Sequence, residues 1–257
     1  LKKSYLKIFQ FFLDIIFPKN CYGCKKSGKY ICENCRKNLS KNFPQTCFSC
    51  GAETEFGEFC EVCKKREKNL DGILVFYKFD EILRKAIHSY KYKFRKEVGV
   101  ELSEIFRAKF FESDINFFSQ VFVAPVPLHK NRLSWRGFNQ SENLARSISF
   151  SFEKNDFNFL KNFSETKNNF QEKFIFLDLL ERTKDTRPQV GLEKLEREKN
   201  IKNAFSVKKE FQNFVQEKTF LIVDDVVTTG STLRECAKTL KNFGAKKVFG
   251  VCLTKSR

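Results

Sequence analysis

Apolar positions change period several times along this chain, and each change marks an element. Leu221, Ile222 and Val223 form an unbroken apolar run, the pattern of a strand buried on both faces. The run stops at two carboxylates, Asp224 and Asp225. Beyond Gly230 the spacing turns helical: Leu233, Ala237 and Leu240 share one face, and Gly244 supplies a stop. The stretch therefore reads as strand, loop and helix, with both acids at the carboxyl edge of a sheet, where open α/β folds bind ligands. The same reasoning upstream predicts strands over 71–79, 121–128 and 173–180, the second stopped by Pro125 and Pro127. Helices are predicted after an Asp80 cap, over roughly 99–111, and over 140–149. A long polar loop over 181–191 and a helix from 192 precede two more strands, 219–223 and 246–253. Strands alternating with helices imply an α/β fold, a mostly parallel sheet covered on both faces. Residues 150–173 keep no period and read as an insertion or a loosely attached hairpin.

Cysteine spacing defines a second region ahead of this alternation. Eight of the ten cysteines form C-x-x-C pairs: Cys21/Cys24, Cys32/Cys35, Cys47/Cys50 and Cys60/Cys63. Each pair aims two thiolates at one point, and two pairs complete the tetrahedral S4 set that zinc accepts. Pairing neighbours gives two structural zinc ions in series; the spacing also admits an interleaved arrangement. A disulfide framework is the competing reading, and it needs an oxidising compartment that no secretion signal here supplies. The start, "LKKSYLKIFQFFLDIIFP", mimics a signal peptide, but Asp14 breaks its apolar middle and no small-residue cleavage site follows before Cys21. Residues 1–17 are expected to form an amphipathic helix, 18–68 a double zinc ribbon, and 69–257 the α/β unit.

Charge changes this picture less than its size suggests. The formal balance is +17, with 32 Phe, no Met and a single Trp, a composition that AT-rich coding alone can produce. A basic surface permits phosphate binding without specifying it. No run of 18 apolar residues is present to span a bilayer. "GCKKSGKY" (23–30) matches the start of a nucleotide-binding phosphate loop. Tyr30 stands where that loop needs Ser or Thr for magnesium, and no strand precedes Gly23. An ATPase is excluded on those grounds.

The chemistry concentrates in residues 224–232. Val226, Val227, Thr228, Thr229, Gly230, Ser231 and Thr232 offer successive backbone N–H groups at a helix start, together with four hydroxyls. That is a nest for one phosphate monoester. Two acids beside it would repel the phosphate unless they hold something joined to it, such as a diol. A ribose 5-phosphate meets both demands, with its hydroxyls on Asp224 and Asp225. A lone Asp would as readily cap the next turn; two acids followed by this loop point to the sugar. His88 and His129 are the only histidines; His129 reads as a surface histidine, and Cys236 and Cys252 as small buried apolar residues.

"FLIVDDVVTTGST" (220–232) resembles the phosphoribosyl-diphosphate (PRPP) motif of type I phosphoribosyltransferases. With "PVPLHKNRLSWRGFNQSENLA" (125–145), "ERTKDTRPQVGLEKLEREKNIKNAF" (181–205) and the cysteine pairs in front, the whole chain resembles the ComF family of competence proteins. The resemblance implies a type I phosphoribosyltransferase fold behind a double zinc ribbon. It also implies a cytoplasmic location, or a peripheral one at the inner membrane, and a part in natural transformation. There, single-stranded DNA arriving through the DNA-uptake machinery would be the partner. Carried over to this chain, Arg136 and Gly137 of "RGFNQ" would meet the pyrophosphate, and Arg182, Lys184 and Arg187 would close over it as a lid. Magnesium would arrive with PRPP, held mostly by the ligand's oxygens and water. Two functions follow. One is a PRPP-binding competence factor handling single-stranded DNA with basic and aromatic side chains. The other is an active phosphoribosyltransferase of salvage or DNA modification, displacing pyrophosphate with a nitrogen nucleophile, with Asp224, Asp225 and Arg136 as its catalytic residues.

Overall fold

A computed structural model describes residues 18–39, 46–113, 120–149, 173–186 and 194–256. Its strands are β1 (Gly72–Lys78), β2 (Val121–Pro125), β3 (Phe174–Phe176), β4 (Leu180–Arg182), β5 (Phe205–Val207), β6 (Thr219–Val227) and β7 (Lys247–Lys255). Five of them form one sheet in the order β1-β7-β6-β2-β3, every neighbouring pair parallel. The central strand β6 shows why the sequence ran apolar without a break. Leu221 and Val223 join one core cluster, Phe220 and Ile222 the other, and all four are 0% exposed. Side chains alternate across a strand, so a strand covered on both faces needs apolar residues at every position. Each such side chain contributes roughly 1.5–3 kcal/mol of burial.

The helices are α1 (Glu33–Asn38), α2 (Glu61–Lys64), α3 (Glu81–Lys93), α4 (Lys96–Glu112), α5 (Lys130–Arg136), α6 (Gln140–Ile148), α7 (Lys194–Ile201) and α8 (Ser231–Asn242). The Asp80 carboxylate caps α3 by accepting from the Leu83 N–H at 2.8 Å, as the sequence suggests. α3, α4 and α6 cover one face of the sheet through Leu83, Ile87, Leu102, Ile105, Phe106 and Leu144. On the other face α8 contributes Leu233, Ala237 and Leu240, the stripe read from the sequence.

The cysteine knuckles straddle the sheet's β1 edge. Tyr30, Ile31 and Leu39 of the first knuckle enter the core of the α3–α4 face, whereas Phe59 and Leu70, around the second, enter the core of the α8 face. Between them, Gly57 lies so close to β1 that an added Cβ would stand 2.4 Å from the Ile73 carbonyl oxygen. A Glu58–Gly72 bridge covers the strand's start, where an open edge would otherwise be free to pair with another chain.

Two strand expectations need correction. The 173–180 strand is broken: Leu177 still donates to the Val123 carbonyl at 2.9 Å, but the chain then leaves the main sheet. From Leu180 it pairs with β5 as an antiparallel ribbon, so the supposed polar loop opens with strand β4. β6 also does not stop at Val223. Asp224 lies opposite Cys252 and Val227 opposite Lys255, because β7 is long enough to carry the pairing past both acids. The 1–17 helix and the 150–173 insertion fall outside the described residues, apart from Lys173.

Candidate functional site

The end of β6 gathers side chains from three helices around Asp224 and Asp225. Ser141, near the start of α6, donates its hydroxyl to Asp224 Oδ1 at 2.8 Å, and the Asp225 N–H donates to the same oxygen at 2.9 Å. Asp225 is 5% exposed and takes the ammonium of Lys91, near the end of α3, at 2.5 Å from Oδ2. The pair therefore carries two carboxylates and one resident cation. Burial pushes the Asp224 carboxyl up to about 7, and the neighbouring Asp225 charge pushes the same way; Lys91 and the bond from Ser141 pull it down.

The loop that follows turns sharply at Gly230, whose φ of 79° is left-handed, and glycine adopts that conformation at little cost. Thr229 Oγ1 and Ser231 Oγ lie 2.5 Å apart, and the Ser231 N–H approaches Thr229 Oγ1 at 3.4 Å. Ser231 is the first residue of α8, so the loop's N–H groups and hydroxyls stand at a helix N-terminus, where an anion is favoured. Val226 and Val227 sit in β6 rather than in the loop.

Arg136 ends α5 and is 7% exposed. Its Nη1 donates to the Gln140 Oε1 at 2.5 Å, its Cζ lies 5.7 Å from the Tyr92 ring centre, and its buried Nε has no hydrogen-bond partner among the described residues. Burial lowers its guanidinium pKa and the Asp225 charge offsets part of that. A buried cation with an idle N–H is costly alone and suits an anionic ligand. Gly137 follows as the left-handed cap of α5, with φ 75°. Arg182 is held on β4, not on a free loop. It bonds Thr186 Oγ1, lies 5.5 Å from the Phe205 ring centre, and keeps a buried Nε without a partner among the described residues. Lys184 donates to the Lys202 carbonyl at 3.0 Å, and Arg187 lies outside the described residues. Asn131 and Arg132 of α5 bond Asp185 and the Thr186 carbonyl at 2.6 and 3.2 Å, which ties this segment to the "RGFNQ" helix. His88 is exposed. His129 is not: it is 8% exposed and caps α5, its Nδ1 3.4 Å from the Asn131 N–H and 3.3 Å from Asp185 Oδ1. Cys236 and Cys252 are fully buried, and burial raises both thiols well above their ordinary pKa.

The cysteines resolve into neighbouring pairs. The Sγ atoms of Cys21, Cys24, Cys32 and Cys35 all lie within 4.8 Å of one another, as do those of Cys47, Cys50, Cys60 and Cys63. A zinc–sulfur bond of about 2.3 Å in a tetrahedron sets an S–S edge of roughly 3.8 Å. Cys24–Cys32 and Cys50–Cys60 measure 3.5 and 3.6 Å, so the residues fit the metal. At Cys21 burial opposes ionisation, yet backbone N–H groups of Cys32, Cys24 and Gly23 bring the thiol down to about 6. Cys47 is brought down to about 6 in the same way by Cys60, Cys50 and Ser49.

Comparison with known proteins follows this division. A double zinc ribbon family model matches residues 12–64, and a phosphoribosyl transferase family model matches 190–257. Competence protein F of Haemophilus influenzae is 28% identical over 241 residues, covering 90% of this chain and 95% of that protein. Over nearly its whole length the chain is thus similar to competence proteins of the ComF type. The DNA utilization protein YhgH of Escherichia coli is 27% identical over 246 residues, 93% of this chain and 98% of its own length. ComFC of Streptococcus pneumoniae is 23% identical over 92% of this chain and 90% of its own. No helix among the described residues is long and apolar enough to cross a membrane.

Within this site, sequence reading missed Lys91 and Ser141, which lie far from the motif in the chain. Ser141 carried one usable signal: it follows the capping Asn139 in "RGFNQS", and Asn139 Oδ1 accepts from the Ser141 N–H at 3.1 Å. Lys91 carried none, being one cation of several at the end of α3.

Proposed function

We propose that the protein binds PRPP with magnesium at the end of β6 and acts in natural transformation by handling incoming single-stranded DNA. The observation that carries the first half is the joining of two unlike sites on one strand–helix turn. The hydroxyl and N–H loop at Thr229–Ser231 suits the 5-phosphate. The acids one turn upstream, with Lys91 neutralising part of their charge, suit the ribose diol. Arg136, buried with an N–H to spare, suits the pyrophosphate, and Arg182 offers a second such group. Magnesium would neutralise pyrophosphate charge through the ligand's own oxygens and water. For the second half the support is the names borne by the relatives, competence protein and DNA utilization protein, together with the basic balance of +17. Contact with the uptake machinery at the inner membrane belongs to the same reading.

Calorimetric titration of PRPP and magnesium tests the site. Changing Asp224 and Asp225 together to Asn keeps shape and hydrogen-bonding reach but removes both charges. Because charge-assisted hydrogen bonds are about twice as strong as neutral ones, binding should weaken markedly. Thr229→Ala, which leaves the backbone nest, should cost only about 1 kcal/mol. Wild type that takes up no PRPP, or a double variant that binds it equally well, rejects the assignment.

A further inference from the structure

Few large apolar side chains are exposed among the described residues, and three of them are aromatic rings in one place: Tyr92 at 43%, Phe94 at 43% and Trp135 at 57%. They come from two separate elements, the end of α3 and the end of α5. Phe94 and Trp135 meet edge to face with ring centres 5.2 Å apart, Tyr92 and Trp135 lie 6.3 Å apart, and His88 extends the row 4.9 Å from Tyr92. Rings turned at angles to one another leave faces open to a planar guest.

A second observation is that the fold bears a cost to present one of these rings. Phe94 has φ 53°, a left-handed backbone that bulky L-residues rarely adopt. It ends α3 where glycine or asparagine is the usual choice. At 43% exposure its ring gains less from burial than a core phenylalanine does, and strained backbone positions cluster at ligand-binding sites.

Charge then selects the guest. The two stretches that supply Tyr92, Phe94 and Trp135, "KYKFRK" (91–96) and "KNRLSWR" (130–136), contain seven Lys and Arg and no acid. Lysine-rich surroundings are unusual for a protein–protein contact, whereas cations alternating with stacking rings are the pattern of single-strand nucleic-acid grooves. Position narrows the reading further. Lys91 reaches Asp225 while its neighbour Tyr92 joins the rings, and Arg136 lies against Tyr92 while its neighbour Trp135 joins them. Platform and PRPP site thus share a wall.

We infer that the His88–Tyr92–Phe94–Trp135 cluster is a base-stacking platform for single-stranded nucleic acid, opening directly onto the ribose-phosphate site. This rests on the DNA-handling half of the proposed function and gives it a location. Bases stack on the rings, phosphates lie along the flanking cations, and the strand is led to the mouth of the site.

Trp135 is the single tryptophan of the chain, so its fluorescence reports the platform directly. The full-length protein would be titrated with oligothymidylate of about 20 nucleotides, long enough for one groove, at low salt. Strong quenching at Trp135 is expected, with weaker binding of a duplex of equal length. Phe94→Gly removes a ring while relieving the left-handed backbone, so it should melt no lower than wild type. Its affinity for labelled oligothymidylate, followed by anisotropy, should nevertheless fall about ten-fold, and Trp135→Ala should lose as much. Oligothymidylate that binds without altering Trp135 emission, or binds Phe94→Gly and Trp135→Ala as tightly as wild type, overturns the platform, as does a preference for duplex. Calorimetry of PRPP on the same wild-type sample is read separately. PRPP binding with no effect at the rings rejects the platform alone, and quenching without PRPP binding rejects the phosphate-site assignment alone.

Discussion

Adjacent on one strand, Asp224 and Asp225 differ in what neutralises them. Asp225 has Lys91 at 2.5 Å, whereas Asp224 has a serine hydroxyl and a backbone N–H. Burial and the neighbouring charge therefore fall on Asp224, whose carboxyl rises from 3.8 to about 7. The folded protein then holds a proton that the unfolded chain has already released. Stability should fall as pH climbs from about 3.8 towards 7, and the loss should be complete above the folded value. Asp224→Asn has no proton to lose, so its melting temperature should be flatter with pH over that window than wild type. Thermal scans at intervals of pH check this; parallel curves for the two proteins would mean that Asp224 is ionised throughout. PRPP affinity should run the other way, improving as pH passes 7, because a diol donates best to a carboxylate.

Among the elements, the turn between β6 and α8 bears the most constraint. At Gly230 an added Cβ would meet Arg234 Nη1 at 3.0 Å, Ile73 Cδ1 at 3.2 Å and Phe48 Cε1 at 3.3 Å, besides being held at φ 79°. Gly230→Ala should cost about 1–2 kcal/mol in urea unfolding from the backbone alone, and weaken PRPP further by moving the loop. This turn was readable from sequence because a parallel strand, a glycine and a helical stripe each leave a local pattern. The acids were readable as a pair, but the strand through them was not. Aspartate is rare in strands, and only the partner β7 shows that pairing continues to Val227. Lys91, Ser141 and the buried state of His129 were not legible for a similar reason. Each depends on a partner 50 or more positions away, such as the 83-residue separation of Ser141 and Asp224. The S4 spacing was explicit, yet only the fold chose neighbouring over interleaved pairs.

For the molecule as a whole, the two knuckles are built into the α/β domain's packing rather than hung from it. Glu101 of α4 accepts from the Tyr30 and Ile31 N–H groups at 3.0 and 2.7 Å, fixing the first knuckle to one face. On the other, Glu67 just beyond the second knuckle takes the Arg234 guanidinium through contacts of 2.6 to 3.0 Å, and Ser49 within that knuckle donates to the same carboxylate at 3.3 Å. Purified protein should carry two zinc ions per chain by metal analysis under reducing conditions. A value near one, with the protein folded, would contradict the paired S4 sites. Because neither segment has a core of its own, removing metal should lower the melting temperature of the whole chain and not release a separately unfolding unit.

Arg234 has a further attachment: its Nη1 donates to the Thr229 carbonyl at 2.5 Å. Ser49, Glu67, Arg234 and Thr229 thus make one hydrogen-bonded line from a cysteine knuckle to the phosphate loop, with Phe48 resting against Gly230 beside it. On the proposed PRPP reading, metal supply should be an input to ligand affinity. Under zinc starvation or thiol oxidation the knuckle would slacken, and the protein would lose its grip on PRPP with every residue that touches the ligand intact. Glu67→Gln, which cuts the line but spares the cysteines, should weaken PRPP while retaining both zinc ions. A chelator should then have little left to take from its affinity before the chain unfolds.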